Sequence, residues 1–214
     1  MERNKFHLRK GFLLLLCMVL LQGGLVFASP SIRAEAATVK KGLVKEGKYY
    51  YYYVNNKKVK NTWKTVKTNK YYFGSNGRAY AAPDLKKSDQ YTMNVVVKKI
   101  GKYYYGFDSK GRMVKSGYYN NPQKLDSNGD SMTYYFDKNG RYNAAKSRAV
   151  RKAGAYGSDT KALRKLLGKA KSVKKLNSCF GEPGNDYQWN YSNIYVTVHI
   201  YPNGTGMVYG IFPR

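Results

Sequence analysis

Aromatic pairs followed by polar turns recur along the middle of the chain. Three segments superimpose when the sequence is shifted against itself, and each runs from an aromatic pair to a glycine and an arginine: Tyr71–Arg78, Tyr104–Arg112 and Tyr134–Arg141. The second segment holds one extra residue, Gly106. The aromatic residues suit a short strand, and the glycine suits the positive φ of a tight turn before a return strand. The pattern therefore predicts consecutive β-hairpins.

A fourth, less regular copy lies upstream at Tyr52–Lys58, with Lys58 in the place of the turn glycine. The distances from Lys58 to Gly77, Gly111 and Gly140 in turn are 19, 34 and 29 residues. These distances fit a degenerate repeat of about 20 residues that is interrupted by insertions. One hairpin cannot bury its aromatic face in water, so neighbouring hairpins must stack on one another. We expect a β-hairpin repeat solenoid over residues 37–147.

The segment after residue 157 has a different pattern. Ser158 can cap a helix that begins at Asp159 and repeats leucine at helical spacing. Four strand candidates follow: Val173–Cys179, Tyr187–Tyr191, Ile194–Tyr201 and Met207–Phe212. We therefore expect a mostly β fold in which a linker at 148–157 joins the repeats to a small α+β domain at 158–214, with one helix on an antiparallel sheet.

The N-terminus reads as a targeting segment. Basic residues precede an apolar run from Gly11 to Phe27, and Ala34-Glu35-Ala36 after it suits signal peptidase. The run is seventeen residues long, shorter than the roughly 20 apolar residues of a spanning helix. We interpret residues 1–36 as a secretory signal peptide, with an uncleaved anchor as the alternative. The protein is then secreted and has no membrane contact after cleavage.

The charge of the chain is strongly positive. Lys and Arg number 39 against 12 Asp and Glu, a formal net charge of +27, and loss of residues 1–36 removes five basic and two acidic residues to leave +24. A net charge of about 2 to 8 suffices to keep a small domain soluble. Attraction to a polyanion explains the excess better. Nucleic acid is one polyanion that basic, aromatic grooves hold, but a secreted protein does not meet it in the cell.

The segment Asn61–Ala79 resembles the cell-wall-binding repeat of Gram-positive surface proteins, of the choline-binding and glucan-binding type. Trp63 opens it, Tyr71–Phe73 forms its aromatic strand, and Gly77 closes its turn. The resemblance extends from Gly42 to about Asn143. It implies a carbohydrate-binding surface protein, attached noncovalently to the cell wall, with ligands held between repeats. The ligand-binding residues it implies are Trp63, Tyr71, Tyr72, Phe73, Tyr104, Tyr105, Phe107, Tyr134, Tyr135 and Phe136, although these tyrosines could also serve only as core.

The kind of ligand follows from the residues around these aromatic side chains. Trp63 is the only tryptophan in the repeats, and the many lysines would repel a free cation such as choline. Tyrosine faces stack on sugars, while Lys and Arg suit the phosphates of teichoic acid. We expect an anionic cell-wall polysaccharide or teichoic acid as the partner, and we rank choline below it.

The C-terminal segment carries a second resemblance. Its capped helix at Gly157–Lys169, followed by Trp189–Tyr191 and a hairpin, weakly resembles the small modules of β-lactamase-inhibitor-like and outer-membrane-assembly lipoprotein-like families. Those modules bind other proteins. The resemblance implies a protein partner for this module, with the repeats as a spacer.

Catalysis has one candidate constellation, with Cys179 as nucleophile, His199 as base and Asp186 as orienting residue. It gives the alternative of a small secreted enzyme anchored by the repeats. We expect no enzyme, because Cys179 ends a strand without a nucleophile elbow and His199 is predicted to lie on the exposed face of a strand. No cofactor or metal is expected. The stretch Asp126–Asp137 imitates a calcium loop, but Ser131 stands where that loop requires glycine.

Overall fold

A computed structural model provides the structure of the chain, and it describes residues 39–83, 94–178 and 181–214. These belong to one compact unit, Val39–Arg214. The predicted signal peptide and Cys179 lie outside the described residues. Within the described part of the chain, no helix is long and apolar enough to cross a membrane.

The predicted hairpin repeats are confirmed. Four antiparallel hairpins follow one another, and a short third strand extends the first of them. Their strands are β1 (Gly42–Glu46), β2 (Tyr49–Val54), β3 (Lys57–Lys58), β4 (Thr62–Val66), β5 (Asn69–Phe73), β6 (Val96–Ile100), β7 (Tyr103–Phe107), β8 (Gly117–Leu125) and β9 (Ser131–Phe136).

One backbone hydrogen bond recurs between neighbouring hairpins. After each turn the chain folds back on its own hairpin and also donates to the hairpin before it. The backbone N–H groups of Ala79, Met113 and Tyr142 donate to the carbonyl oxygens of Tyr50, Lys70 and Tyr104, at 2.8, 2.8 and 2.9 Å. The same three residues bridge to Phe73, Phe107 and Phe136. The hairpins therefore stack in one register, as repeats do.

Each of the last three hairpins contributes one completely buried phenylalanine to the core: Phe73, Phe107 and Phe136. Gly106, which looked like an insertion in the sequence, occupies the position of Tyr72 and Tyr135, one residue before the phenylalanine. A Cβ atom at Gly106 would lie 2.5 Å from the Phe136 ring. Glycine is required there because the third and fourth hairpins pack so closely.

The predicted α+β part is confirmed, with two helices instead of one. The first helix, Ala144–Ala153, is capped by the Asn143 side chain, and the second, Thr160–Leu167, by Asp159 rather than Ser158. The first helix occupies residues 148–153 of the segment 148–157 that was predicted to be a linker. A four-stranded antiparallel sheet follows, in the order β10 (Ser172–Leu176), β11 (Asn185–Asn190), β12 (Ile194–Ile200) and β13 (Gly206–Pro213).

The fourth hairpin is joined to this sheet and to the first helix. The Ser131 hydroxyl donates to the Ile211 carbonyl at 2.9 Å, and the Arg151 guanidinium donates to the Thr133 carbonyl at 3.0 Å. Tyr118 packs against the apolar core of the sheet. The last repeat therefore ends against a packed surface and not against water.

Candidate functional site

An aromatic cluster lies between the second and third hairpins. Trp63 and Tyr72 are register partners in β4 and β5, so they lie side by side with ring centroids 5.2 Å apart. Tyr105 of β7 approaches Trp63 from the next hairpin at 5.0 Å, and Tyr80 lies 5.3 Å from Tyr72. The buried ring of Phe107 packs against Trp63, with the two ring centroids 6.0 Å apart. We call Trp63, Tyr72, Tyr80 and Tyr105 the aromatic cluster.

The structure brings together three of the predicted ligand-binding residues, Trp63, Tyr72 and Tyr105. It adds Tyr80, which sequence reasoning missed. Tyr80 lies three residues after the turn glycine, and the equivalent positions hold Val114 and Asn143. The repeat pattern therefore did not predict an aromatic residue at the position of Tyr80.

Five of the predicted site residues lie in the core. Phe73, Phe107 and Phe136 have no exposed surface, and Tyr71 and Tyr134 are 6% and 5% exposed. Alternation along the strand directs these side chains into the stack, so they have no face to offer a ligand. Tyr135 is half-buried and Tyr104 is exposed. The aromatic residues that a ligand could reach are therefore Trp63, Tyr72, Tyr104, Tyr105 and Tyr135 among those predicted.

Positive side chains lie over the tyrosine rings along the repeats. The Lys58 ammonium is 3.4 Å from the centre of the Tyr51 ring, and the guanidinium of Arg78 is 3.9 Å from that of Tyr49. Further pairs at 4.5 to 6.0 Å include Lys45 on Tyr50, Lys64 on Tyr52, Lys98 on Tyr80, Lys99 on Tyr104, Lys102 on Tyr103 and Lys146 on Tyr135. Exposed contacts of this kind contribute about 0.5–1 kcal/mol each. They hold the cations on the aromatic surface.

In two of the three copies, the arginine after the turn glycine lies over a tyrosine ring of the preceding hairpin. Arg141 lies 4.1 Å from the centre of the Tyr103 ring, in the same relation as Arg78 to Tyr49. In the remaining copy Asn69 replaces that tyrosine, and Arg112 instead forms an ion pair with Asp108 at 2.7 Å.

Carboxylates neutralise few of these cations. Glu46 binds Lys40 and Lys58 at 2.6 and 2.8 Å, and the hydrogen bonds from Lys40, Lys58 and Tyr53 lower its pKa to about 2. Asp126 and Asp137 instead accept backbone N–H groups of their own turns. The stretch that imitates a calcium loop thus forms the turn between β8 and β9 together with β9 itself. The described residues contain no group of three potential metal ligands.

The structure corrects the position predicted for His199. Its side chain is 1% exposed instead of facing solvent, because the backbone around Gly184 and the rings of Tyr201 and Tyr209 lie against it. The Nδ1 atom lies 2.7 Å from the Asp186 carboxylate, and the Nε2 atom lies 3.2 Å from the Pro183 carbonyl. Both partners are acceptors, so both ring nitrogens donate and the imidazolium is favoured.

The pKa shifts of this pair agree with that geometry. The hydrogen bond to Asp186 raises the pKa of His199, although burial opposes the shift. Burial alone would raise the pKa of Asp186, but hydrogen bonds from His199, Ser178 and Tyr209 lower it below its usual value. His199 therefore has no free lone pair with which to act as a base. Cys179, the proposed nucleophile, lies outside the described residues.

Comparison with solved structures finds partial matches at low sequence identity. Choline binding protein F from Streptococcus pneumoniae matches 78% of this chain and 42% of its own, at 14% identity and a TM-score of 0.32. The modular Cpl-1 endolysin, complexed with a peptidoglycan analogue, matches 77% of this chain and 36% of its own, at 15% identity and a TM-score of 0.33. An alternansucrase in complex with isomaltotriose matches 78% of this chain but 9% of its own, at 15% identity and a TM-score of 0.26.

This chain thus spans less than half the length of each of these proteins. The similarities are too low to carry a functional argument. No protein-family model matches the chain, and no curated protein matches it.

Proposed function

We propose that the protein is a secreted binding protein of the Gram-positive cell wall, and that its repeats hold an anionic wall glycopolymer such as teichoic acid or another polysaccharide. The observation that carries the proposal is the set of cations held over tyrosine rings along the hairpins. A lysine on a ring keeps N–H donors for a phosphate, and the half-buried tyrosines beside it offer faces to sugar rings.

Repetition strengthens such binding. One phosphate contact on an exposed lysine is weak and is screened by salt. Several hairpins that engage one polymer chain raise the local concentration of each further contact. The repeats therefore bind a long polymer more strongly than its isolated unit.

A second candidate ligand is a quaternary ammonium group such as choline, held at the aromatic cluster. Trp63, Tyr72 and Tyr105 are half-buried, and both tyrosine rings lie edge-on to Trp63, at interplanar angles of 67° and 71°. Lys98 contacts Tyr80, and in the described part of the chain no cation lies over Trp63, Tyr72 or Tyr105. A quaternary ammonium there would gain cation–π attraction but would meet the field of the neighbouring lysines.

Retention of the protein on purified Gram-positive wall sacculi, with and without teichoic acid, separates the two ligands. The polyanion proposal expects retention that requires teichoic acid, falls as salt rises and is insensitive to free choline. The triple variant Lys45→Gln, Lys99→Gln, Lys102→Gln should lose retention at a lower salt concentration. The matched control, Lys165→Gln, Lys174→Gln, Lys175→Gln, removes the same charge from the C-terminal domain and should bind as the natural protein does.

Equal loss in both triple variants would contradict a site on the repeats and would indicate general charge attraction. Retention that free choline abolishes and salt spares would favour the second candidate. In that case Trp63→Ala should lose binding, while Tyr156→Ala, which removes an exposed ring elsewhere, should keep it.

For the C-terminal domain we propose the role of a cap on the repeat array, with a protein partner as the other possibility left by its resemblance. Repeat arrays need a distinct terminal unit to cover their last apolar face. The packing of Tyr118 against the sheet supports this role. We propose no catalytic activity, and the engagement of both ring nitrogens of His199 supports that proposal.

A further inference from the structure

A cavity of about 430 Å³ opens where the fourth hairpin, the first helix and strand β13 meet. Its volume is within the range of small-molecule sites, roughly 300–1,000 Å³. Apolar atoms of Leu125, Ile211 and Phe212 line part of it, and Asp130 and Arg151 also line it. It lies apart from the aromatic cluster and does not depend on the proposed function of the repeats.

Most polar groups around this cavity are already engaged inside the protein. The hydroxyls of Ser131 and Thr133 accept hydrogen bonds from the Asn120 amide at 2.8 and 3.0 Å. The Tyr209 hydroxyl donates to Asp186 at 3.1 Å. The charged side chains of this lining are Asp130 and Arg151, and they keep the largest capacity for further hydrogen bonds.

Arg151 and Asp130 carry opposite charges but do not form an ion pair with each other or with any other described residue. One N–H of the Arg151 guanidinium donates to the Thr133 carbonyl, and the remaining donors have no protein partner there. The Asp130 carboxylate receives the backbone N–H of Tyr156, and burial raises its pKa. Charged groups that are partly removed from water and unpaired are costly unless a ligand neutralises them.

We propose that this cavity binds a free α-amino acid with an apolar side chain. The ligand carboxylate accepts hydrogen bonds from the Arg151 guanidinium, and its ammonium donates to Asp130. Its side chain lies against Leu125, Ile211 and Phe212. A ligand with both charges suits the site better than a simple anion or cation, because either of those would leave one wall charge unpaired and meet repulsion from it.

The test titrates the full-length protein with leucine and phenylalanine by calorimetry. Two analogues accompany leucine: N-acetyl-leucine, which lacks the ammonium, and leucine amide, which lacks the carboxylate. Leucine should bind saturably, and each analogue about tenfold or more weakly, because each loses one charge-assisted hydrogen-bonded contact. Asp130→Asn should weaken the binding of leucine but not that of N-acetyl-leucine, and Arg151→Gln should weaken the binding of leucine but not that of leucine amide.

Arg148→Gln is the matched control, because it removes an exposed guanidinium from the same helix. It should bind leucine as the natural protein does. If Arg151→Gln lowers the helical circular dichroism signal, that variant is misfolded, and Asp130→Asn and the analogue series still test the proposal. The proposal is overturned if neither amino acid binds at about 10 mM, if N-acetyl-leucine binds as tightly as leucine, or if Arg148→Gln loses as much affinity as Asp130→Asn.

Discussion

His199 is a candidate catalytic base in the sequence, but in the structure it belongs to an ion pair. Its two ring nitrogens face a carboxylate and a carbonyl, and its side chain is almost completely buried. A buried cation of this kind is stable only while its partner is charged. The pair is therefore a source of pH-dependent stability.

We expect the pair to stabilise the fold most between about pH 4 and pH 6.5. The pKa of His199 is raised above 6.5, so its contribution is complete below that pH and is lost as pH rises through the folded-state pKa. The pKa of Asp186 is lowered below 3.8, so its contribution is complete above that value and is lost as pH falls through its folded-state pKa.

Urea unfolding between pH 5.5 and 9 measures this contribution. The natural protein should lose stability as pH rises, whereas His199→Gln should lack that slope and be less stable at pH 6 by about 1–3 kcal/mol. The only other histidine is His7, within the predicted signal peptide, so His199 is the only imidazole in residues 37–214 and the slope reports on it. An unchanged slope in His199→Gln would show that the pair does not titrate in this range.

Among the secondary-structure elements, the hairpin turns were the easiest to predict, because their signal is local. Asp108, Asp126 and Asp137 each begin a turn, and the carboxylate of each accepts the backbone N–H groups two and four residues later. A glycine at positive φ completes each turn. Such short spacings can be read directly from the sequence.

We expect Asp137→Ala to lower the free energy of unfolding by about 1–3 kcal/mol, because two backbone donors lose a charged acceptor. Asp137→Asn should retain most of the stability, since its side-chain oxygen can accept in the same place. Lys138→Ala, at an exposed position of the same turn, is the control and should change little. Chemical unfolding monitored by tyrosine fluorescence gives the comparison. Equal losses for Asn and Ala would contradict a role for the acceptor.

Elements whose position depends on distant contacts could not be predicted. The first helix was missed because its buried face carries only Ser147 and Val150, too small a pattern to distinguish it from a linker. The burial of His199 was missed because alternation along β12 does not reveal what covers each face. The aromatic cluster was predicted in part, since Trp63, Tyr72 and Tyr105 follow the repeat and Tyr80 does not. The repeat pattern also predicted Phe73 as a ligand-binding residue, but Phe73 is completely buried in the stack.

At the scale of the whole molecule, hydrogen bonds join the repeats to the C-terminal domain. The backbone N–H of Tyr135 donates to the Ser147 hydroxyl at 2.8 Å, and Ser131 donates to Ile211. Residue Asn94, which precedes the third hairpin, donates through its side chain to the carbonyl of Asn193 beyond β11. Bonds of this kind connect the third and fourth hairpins to the first helix and to the sheet. Unfolding one part therefore exposes groups whose hydrogen bonds the other part satisfies.

We therefore expect residues 39–214 to unfold in a single calorimetric transition, with equal calorimetric and van't Hoff enthalpies. Tyr118→Ala removes a ring that packs against the sheet core, and it should lower the midpoint of that one transition at a cost of roughly 2 kcal/mol, less than a fully buried aromatic residue because Tyr118 is half-buried. Tyr156→Ala, which removes a ring 63% exposed, should shift it far less. Two separate transitions in the natural protein, with Tyr118→Ala moving only one of them, would show that the repeats fold independently and that the C-terminal domain does not cap them.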